Sequence, residues 1–493
     1  MSDQNRPASE PLRLVDVQQA VTAELDRIAP VIDDLGARFA DAGHELALVG
    51  GPVRDAMLGR RSNDLDFATS ARPEVTERIL RGWGDAWWDM GRSFGTIGCR
   101  KGDWVVEVTT YRSETYDPDS RKPDVDYGDT LAGDLGRRDF SVNAMAVRVP
   151  GREIEDPFGG VVDLAHQVLR TPGRPEDSFS DDPLRMMRAA RFAAQLGFSV
   201  DPDVVRAMTE MAERLSIVSA ERIRDELVKL IMAPHPRLGL TLLVDTGLAD
   251  IVLPELPALK LERDEHHRHK DVYEHSLTVL EQAIEQEEAR FGGKPDFVSR
   301  FAALMHDVGK PKTRRFLDDG TVTFHHHDVV GAKITRKRMQ ALRFSGDETD
   351  AVCKLVELHL RFHGYGTGEW TDSAVRRYVR DAGDELVRLH VLTRADCTTR
   401  NKRKADRLRR TYDDLEARIE RLSEEEELAA IRPDLNGNQV MKILGIKPGP
   451  EVGEAYRFLL DLRLDEGPKS PDEAKAALLA WWAERSEGRP PAG

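Results

Sequence analysis

The spacing of apolar positions changes several times along the first third of the chain. From Leu12 to Phe39 apolar residues recur at helical spacing, which predicts an amphipathic helix. Leu46–Val49 is a continuous apolar run ending in Gly50-Gly51, as expected of a short buried strand entering a turn. Val53 to Leu58 predicts a short helix, and Asp64-Leu-Asp-Phe67 alternates polar with apolar as a half-buried strand does. Trp104 to Arg112 alternates in the same way, and Arg138 to Val149 is a β-rich run with a polar opening. Beyond Asp163 the pattern is helical almost to the end, with no repeat of fixed period. These patterns predict an α+β multidomain chain in which a small mixed sheet precedes predominantly helical domains.

Composition fits such a chain. Its 493 residues suggest three or four domains, and 40% hydrophobic with 32% charged residues supply several cores beneath a highly charged surface. No apolar run reaches bilayer length and the N-terminus is too polar for a signal peptide, so a cytoplasmic protein without a membrane partner is expected. Cys99, Cys353 and Cys397 lie far apart without metal-ligand spacing and read as reduced thiols. A net charge of −15 argues against a nucleic-acid partner, but its distribution is uneven. Acidic runs at 281–288 and 424–427 read as solvated helix faces, while basic clusters at 336–343 and 400–410 offer local footprints for phosphate, or simply charged surface. Trp83, Trp87 and Trp88 are expected to pack the first domain and receive no function.

The candidate chemistry is concentrated where the strands are. Gly50 and Gly51 permit a backbone approach close enough for phosphate, and Arg54 adds a fork of donors. If Asp64–Phe67 is a strand, Asp64 and Asp66 emerge on one face while Leu65 and Phe67 enter the core, and two carboxylates on one face can share a pair of Mg2+ ions. Glu107 is the lone acid in an apolar, β-branched run, where a buried carboxylate needs a metal or a basic partner; Arg112 is the alternative to a metal.

From Leu48 to Phe67 these residues resemble the active-site signature of the polymerase beta-like nucleotidyltransferases, in the branch that holds tRNA CCA-adding enzymes and bacterial poly(A) polymerases. The resemblance implies a two-metal transfer with Asp64, Asp66 and Glu107 as Mg2+ ligands. Asp134-Leu-Gly-Arg-Arg-Asp-Phe-Ser-Val-Asn-Ala resembles a further family motif, with Ser141 in place of Thr. It implies Arg138 as a triphosphate ligand, Asp139 as a positioner of sugar or arginine, and Asn143 as a sugar contact. Asp182 and Arg185, three residues apart, can offer one acceptor and one donor to the amino and ring-nitrogen edge that cytosine and adenine share. Guanine and uracil reverse that order and would leave polar groups unpaired. The pair resembles the nucleobase template of class II tRNA nucleotidyltransferases, with Arg188 on the same face and Arg222 in the next helical motif as a phosphate or RNA contact.

His275, His306-Asp307 and Asp396 follow the order of the HD phosphohydrolases and are expected to bind a divalent metal of unspecified identity; Lys310 follows the pair. His327, within His325-His-His-Asp328, and His359, beside His363, are candidates for a second ion. An inactive or purely structural HD site is the alternative. Residues 433–455 resemble the closing helical domain of the bacterial enzymes, with Gly445 and Pro448-Gly449-Pro450 as helix punctuation.

The expected organisation is an N-terminal tip and helix (1–40), a nucleotidyltransferase head (41–165), a helical neck reading the base (166–260), an HD domain (261–400) and a helical tRNA-binding body and tail (401–493). The resemblance implies CCA addition to tRNA from CTP and ATP. Poly(A) synthesis and CC-only addition remain open, and the loop around Arg121-Lys-Pro-Asp-Val125 disfavours both. A reading from a different class is an HD phosphohydrolase whose head only senses nucleotides. Oligomeric state is left open.

Overall fold

The protein is described here by a computed structural model, which covers residues 11–115, 124–127, 130–260, 272–318, 322–365, 370–397, 402–426 and 432–487. The chain forms two compact units, Met1–Pro257 and Ala258–Gly493.

In the first unit the expected helix spans Leu14–Asp41 and buries Val17, Val21, Leu25, Ile28, Ile32, Leu35 and Phe39 along one face. It leads into β1 (Leu46–Val49), which is buried throughout. The turn at Gly50 opens the helix Gly51–Met57, and the chain returns in β2 (Asp64–Thr69). β3 (Ala86–Trp88), β4 (Thr96–Lys101) and β5 (Trp104–Thr110) follow, then the hairpin β6 (Arg112–Thr115) and β7 (Asp124–Tyr127). β8 (Ala146–Val149) and β9 (Ile154–Glu155) complete the strands of this head region. Seven strands form one sheet in the order β3-β4-β5-β2-β1-β8-β9. β2 and β5 run parallel while β4–β5 and β1–β2 run antiparallel, so the sheet is mixed.

The run expected to be strand between Arg138 and Val149 begins instead as a 3-10 turn, Ser141–Asn143, and only its apolar end pairs in the sheet. The strand predicted over Trp104–Arg112 breaks at Tyr111, where the chain leaves the large sheet for the hairpin. Helices then follow, among them Pro175–Asp181, Leu184–Leu196 and Ala220–Ile231.

In the second unit, helices Val272–Glu285, Phe297–Met305, His327–Ala341, Gly346–Leu358 and Leu386–Ala395 form a bundle. The long helix Lys402–Glu426, assigned from sequence to the body and tail, is tied to this bundle by Glu416, which pairs with Arg290 and Arg394. Tyr412 stacks on Phe362 and donates to the Thr393 carbonyl. The last helices, Gly437–Leu444, Pro450–Glu466 and Pro471–Glu487, close around Leu435, Val440, Leu459 and Leu478. Gly445 caps the first of these in the left-handed region, as its place in the sequence implied.

One expectation from the acidic runs is overturned. Within 281–288, Glu287 is buried and forms a two-pronged ion pair with Arg300, while also accepting from the Asp296 amide. Removing one partner strands the other charge, which costs about 3–5 kcal/mol. Arg300→Ala should therefore bring the second unit's urea transition forward by an amount of that order, and an unchanged midpoint would contradict the assignment.

Candidate functional site

Strand pairing places the head carboxylates. Asp66 on β2 sits directly opposite Glu107 on β5, with Asp64 opposite Val105. Side chains of paired residues share a face, so Asp64, Asp66 and Glu107 all project from the same side of the sheet. Leu65, Phe67, Val106 and Val108 project from the other and are buried. Glu107 is exposed on this open face, not buried as its apolar neighbours suggested; it is the alternation, not the composition of the run, that decides. Partial desolvation, then the charges of Glu107 and Asp64, push the Asp66 carboxyl up to about 6, against the lowering influence of Arg138. Three carboxylates on one face are a hard-oxygen donor set suited to a divalent cation.

The glycine turn stands next to this face. Gly50 has φ +73°, a conformation that favours glycine, and a Cβ there would lie 2.8 Å from Arg138 Nη1, which places that guanidinium over the turn. Arg138 is held by Asp134, a residue the sequence reading quoted but gave no role. Asp134 also accepts from Arg137, and these two arginines keep its carboxyl below the usual range although burial alone would raise it. Arg54 donates to Asn143 Oδ1 at 2.7 Å, and Asn143 donates in turn to Asp139 Oδ1 at 3.0 Å. Asp139 is clamped by Arg188 through Nε at 2.8 Å and Nη2 at 2.5 Å. Arg54, Asn143, Asp139 and Arg188 are thus one connected polar chain running from the helix that follows the glycine turn to the helix Leu184–Leu196.

The expected base-reading pair is not assembled. Asp182 accepts from the Leu184 amide at 3.1 Å and from Arg222 at 2.7 Å. Arg185 is buried, with Nη1 3.0 Å from Ser178 Oγ and Nη2 2.6 Å from the Arg137 carbonyl. Spacing on a helix predicted a shared face, but Asp182 stands before the first turn, where its carboxylate caps the helix. Arg188, expected to reach a ligand, is committed to Asp139, and Arg222 to Asp182. Of the loop around Arg121-Lys-Pro-Asp-Val125, residues Arg121–Pro123 lie outside the described residues.

In the second unit, the ends of five helices converge. His275 Nε2 lies 3.3 Å from His306 Nε2 and 2.9 Å from Asp396 Oδ1. His306 Nε2 is 3.2 Å from Asp307 Oδ2, and His327 Nε2 is 3.3 Å from Asp307 Oδ1. Two groups result, His275 with His306 and Asp307, and His327 with His359 and Asp307; Asp307 belongs to both. His306, His327 and His359 each place Nδ1 against the carbonyl three residues earlier, at 2.8, 2.7 and 2.6 Å. A ring that donates from Nδ1 leaves an Nε2 lone pair inward, the arrangement of a metal-ligating histidine. In His327 and His359 that Nε2 is buried and makes no hydrogen bond. Burial, then His306, lower His359 to about 4, which keeps it neutral. His306 is driven the opposite way, to about 10, because Asp307 and Asp396 outweigh its burial. The carboxylates that favour its proton would equally favour a divalent cation. Lys310 donates to Asp307 at 2.6 Å. His325 and His326 do not join either group, and the His363 side chain lies outside the described residues.

Several comparisons bear on this arrangement. Residues 46–170 match the poly A polymerase head domain, 197–259 the probable RNA and SrmB-binding site of polymerase A, and 272–401 the HD domain. An A-adding tRNA nucleotidyltransferase of Deinococcus radiodurans is 34% identical over 448 residues, which cover 90% of this chain and 96% of that one. A CC-adding tRNA nucleotidyltransferase of Thermus thermophilus is 31% identical over 441 residues, 88% of this chain and 93% of its own length. A CCA-adding enzyme of Lactobacillus gasseri is 39% identical over 254 residues, 51% of this chain and 60% of that enzyme. Among solved structures, the Bacillus stearothermophilus CCA-adding enzyme in complex with CTP has the same fold, with a TM-score of 0.61 at 24% identity over 93% of this chain and 98% of that one.

Loading the full chain with Mn2+ and counting tightly bound metal should separate the two histidine groups. The double change His327→Ala/His359→Ala should remove about one ion per chain relative to the parent, and Asp307→Ala about two. Equal metal content in all three proteins would sink the shared-carboxylate arrangement.

Proposed function

Since the chain belongs to the tRNA nucleotidyltransferases that pair a poly(A) polymerase head with an HD domain, we propose that it completes the 3′-terminal CCA of tRNA from CTP and ATP. The single observation that carries this reading is the register of Asp66 with Glu107, beside Asp64 and a glycine turn that is overlaid by Arg138. In it, the Gly50–Gly51 turn, Arg54 and Arg138 receive the triphosphate, while Asp64, Asp66 and Glu107 hold Mg2+. Bound there, the metal supplies Lewis acidity toward the α-phosphate and lowers the cost of the leaving pyrophosphate. Asn143 is oriented by Arg54 and Asp139 so that its amide can meet a sugar hydroxyl.

The Asp182–Arg185 edge selects the base by leaving its polar groups unpaired against guanine or uracil. Selection in this manner requires Arg185 to exchange Ser178 and the Arg137 carbonyl for the base, and Asp182 to share its carboxylate with Arg222. In the second unit, Arg403, Arg407 and Arg410 line one wall of a cavity of about 700 Å³ together with Tyr365, Asp406 and Asp414. Such a basic wall fits a phosphate backbone, although the chain as a whole is acidic. Among the described residues no helix is long and apolar enough to cross a membrane.

A second reading is partial addition. Two relatives aligned along nearly their whole length are named A-adding and CC-adding, whereas the CCA-adding enzyme of Lactobacillus gasseri aligns over about half of this chain. Poly(A) synthesis draws its support from the head match over 46–170 and the polymerase A match over 197–259. The two histidine groups add a metal-dependent phosphohydrolase activity to either reading, on a phosphomonoester or a 2′,3′-cyclic phosphate.

The deciding experiment extends tRNAs that lack CCA, CA or A with each nucleotide alone and with CTP and ATP together, at single-nucleotide resolution. Extension that stops at CCA is expected. A stop after CC, or addition of A alone to a CC end, would replace the main reading with the partial one, and unlimited A addition would replace both. Asp64→Ala should cut incorporation by about 1,000-fold or more while tRNA binding stays within about threefold. Changing Asp182 or Arg185 to Ala should admit GTP and UTP; undiminished exclusion of both would move base selection elsewhere.

A further inference from the structure

Three tryptophans of the head were expected to be packing residues. Trp83 is one: it is buried and its indole N–H donates to Asp34 at 2.7 Å. Trp87 is exposed on the far face of its strand, where the Arg81 guanidinium lies 3.8 Å from its ring centre. Trp88 differs. It pairs with Gly98 on β4, Gly98 pairs with Glu107 on β5, and Glu107 pairs with Asp66 on β2. Directly paired residues share a face, so Trp88, Gly98, Glu107 and Asp66 form one row across four strands, all projecting toward the carboxylate side. The indole lies over Gly98: a Cβ there would be 2.1 Å from Nε1 and 2.2 Å from Cε2. A side chain at position 98 would occupy the space of the ring, so the glycine makes room for it on the carboxylate side of the sheet. The residue remains partly exposed, and among the described residues no aromatic or cationic group stacks on the ring.

The order of strands gives this row a direction. The phosphate-receiving turn follows β1, on one side of β2, while β5, β4 and β3 extend to the other. At ordinary strand spacing, β3 lies about 10 Å beyond β5. In an in-line transfer the attacking hydroxyl and the leaving phosphates lie on opposite sides of the reacting phosphorus. What extends past Glu107, away from the glycine turn, is therefore the strand that carries the nucleophile.

We propose that Trp88 is the stacking platform for the 3′-terminal base of the RNA whose hydroxyl attacks. The inference rests on the nucleotidyl-transfer reading above. Stacking accepts any base, which suits a site whose primer end changes as the chain grows, and it complements a base edge that reads only the incoming nucleotide. Trp88 touches the primer and not the metal, so it acts on primer binding and alignment.

The test uses the full chain and RNA hairpins that mimic the acceptor end, each with an intact or an abasic 3′-terminal nucleotide. Trp88→Leu keeps apolar bulk over Gly98 without a flat ring, and Trp88→Phe keeps a ring. Trp88→Leu should raise the primer KM about tenfold with nucleotide KM within about threefold, and Trp88→Phe should recover most of that loss. The abasic end should cost the parent protein about tenfold in primer KM and cost Trp88→Leu nothing further. An equal abasic penalty in both, or a rise confined to nucleotide KM, would overturn the proposal while leaving the transfer reading intact. No extension by the parent protein would overturn the transfer reading and the platform with it.

Discussion

The parallel pairing of β2 with β5 sets two carboxylates side by side, Asp66 against Glu107, with Asp64 two residues along the same face. Asp66 is pushed up to about 6 by desolvation and by the charges of Glu107 and Asp64. A sheet would not maintain such a row for stability, because each added carboxylate makes the next harder to ionise. A cation resolves the conflict. The opposite face of the same strands, with Leu65, Phe67, Val106 and Val108 in the core, fixes the register, since a one-residue slip would bury the acids and expose the core.

Around this row, arginines are placed by carboxylates of their own. Asp134 holds Arg137 and Arg138, Asp139 holds Arg188, and Asn143 links Arg54 to Asp139. Each of these anchors is buried, where charge-assisted hydrogen bonds are strong and an unpaired partner would be costly. The result is a set of arginines whose directions are fixed by buried acceptors, as the proposed triphosphate site requires. The histidine cluster uses the same device with backbone carbonyls, three of which turn imidazole Nε2 atoms inward toward Asp307. The histidine cluster sits where several helices end, while the head carboxylates lie within paired strands, so in both sites side-chain direction is fixed by packing elsewhere.

Much of this was legible in the sequence because period carries direction. The alternation in Asp64-Leu-Asp-Phe67 was enough to put both acids on one face, and the separation of His275, His306-Asp307 and Asp396 was enough to demand several helices. What was not legible depended on pairing between distant segments. Glu107 was recognised as the third acid for the wrong reason, burial, because only its β2 partner reveals the open face. Asp182 and Arg185 were read as one edge from helical spacing, but the helix begins after Asp182, and Ser178 and the Arg137 carbonyl lie in segments that spacing cannot connect to Arg185. Glu287 looked like part of a solvated acidic run because its partner Arg300 is on another helix. Trp88 was grouped with Trp83 and Trp87 because composition cannot tell which face of a strand a ring will occupy.

The central claim is that the β2–β5 register builds a cation site, and Mn2+ binding followed by electron paramagnetic resonance tests it most directly. The comparison is made in an Asp307→Ala background, which removes the histidine cluster's shared ligand. There, Asp66→Ala should abolish the remaining bound Mn2+, and Arg78→Ala, on the head helix Pro73–Arg81, should leave it unchanged. Undiminished Mn2+ binding in the Asp66 variant would contradict the account.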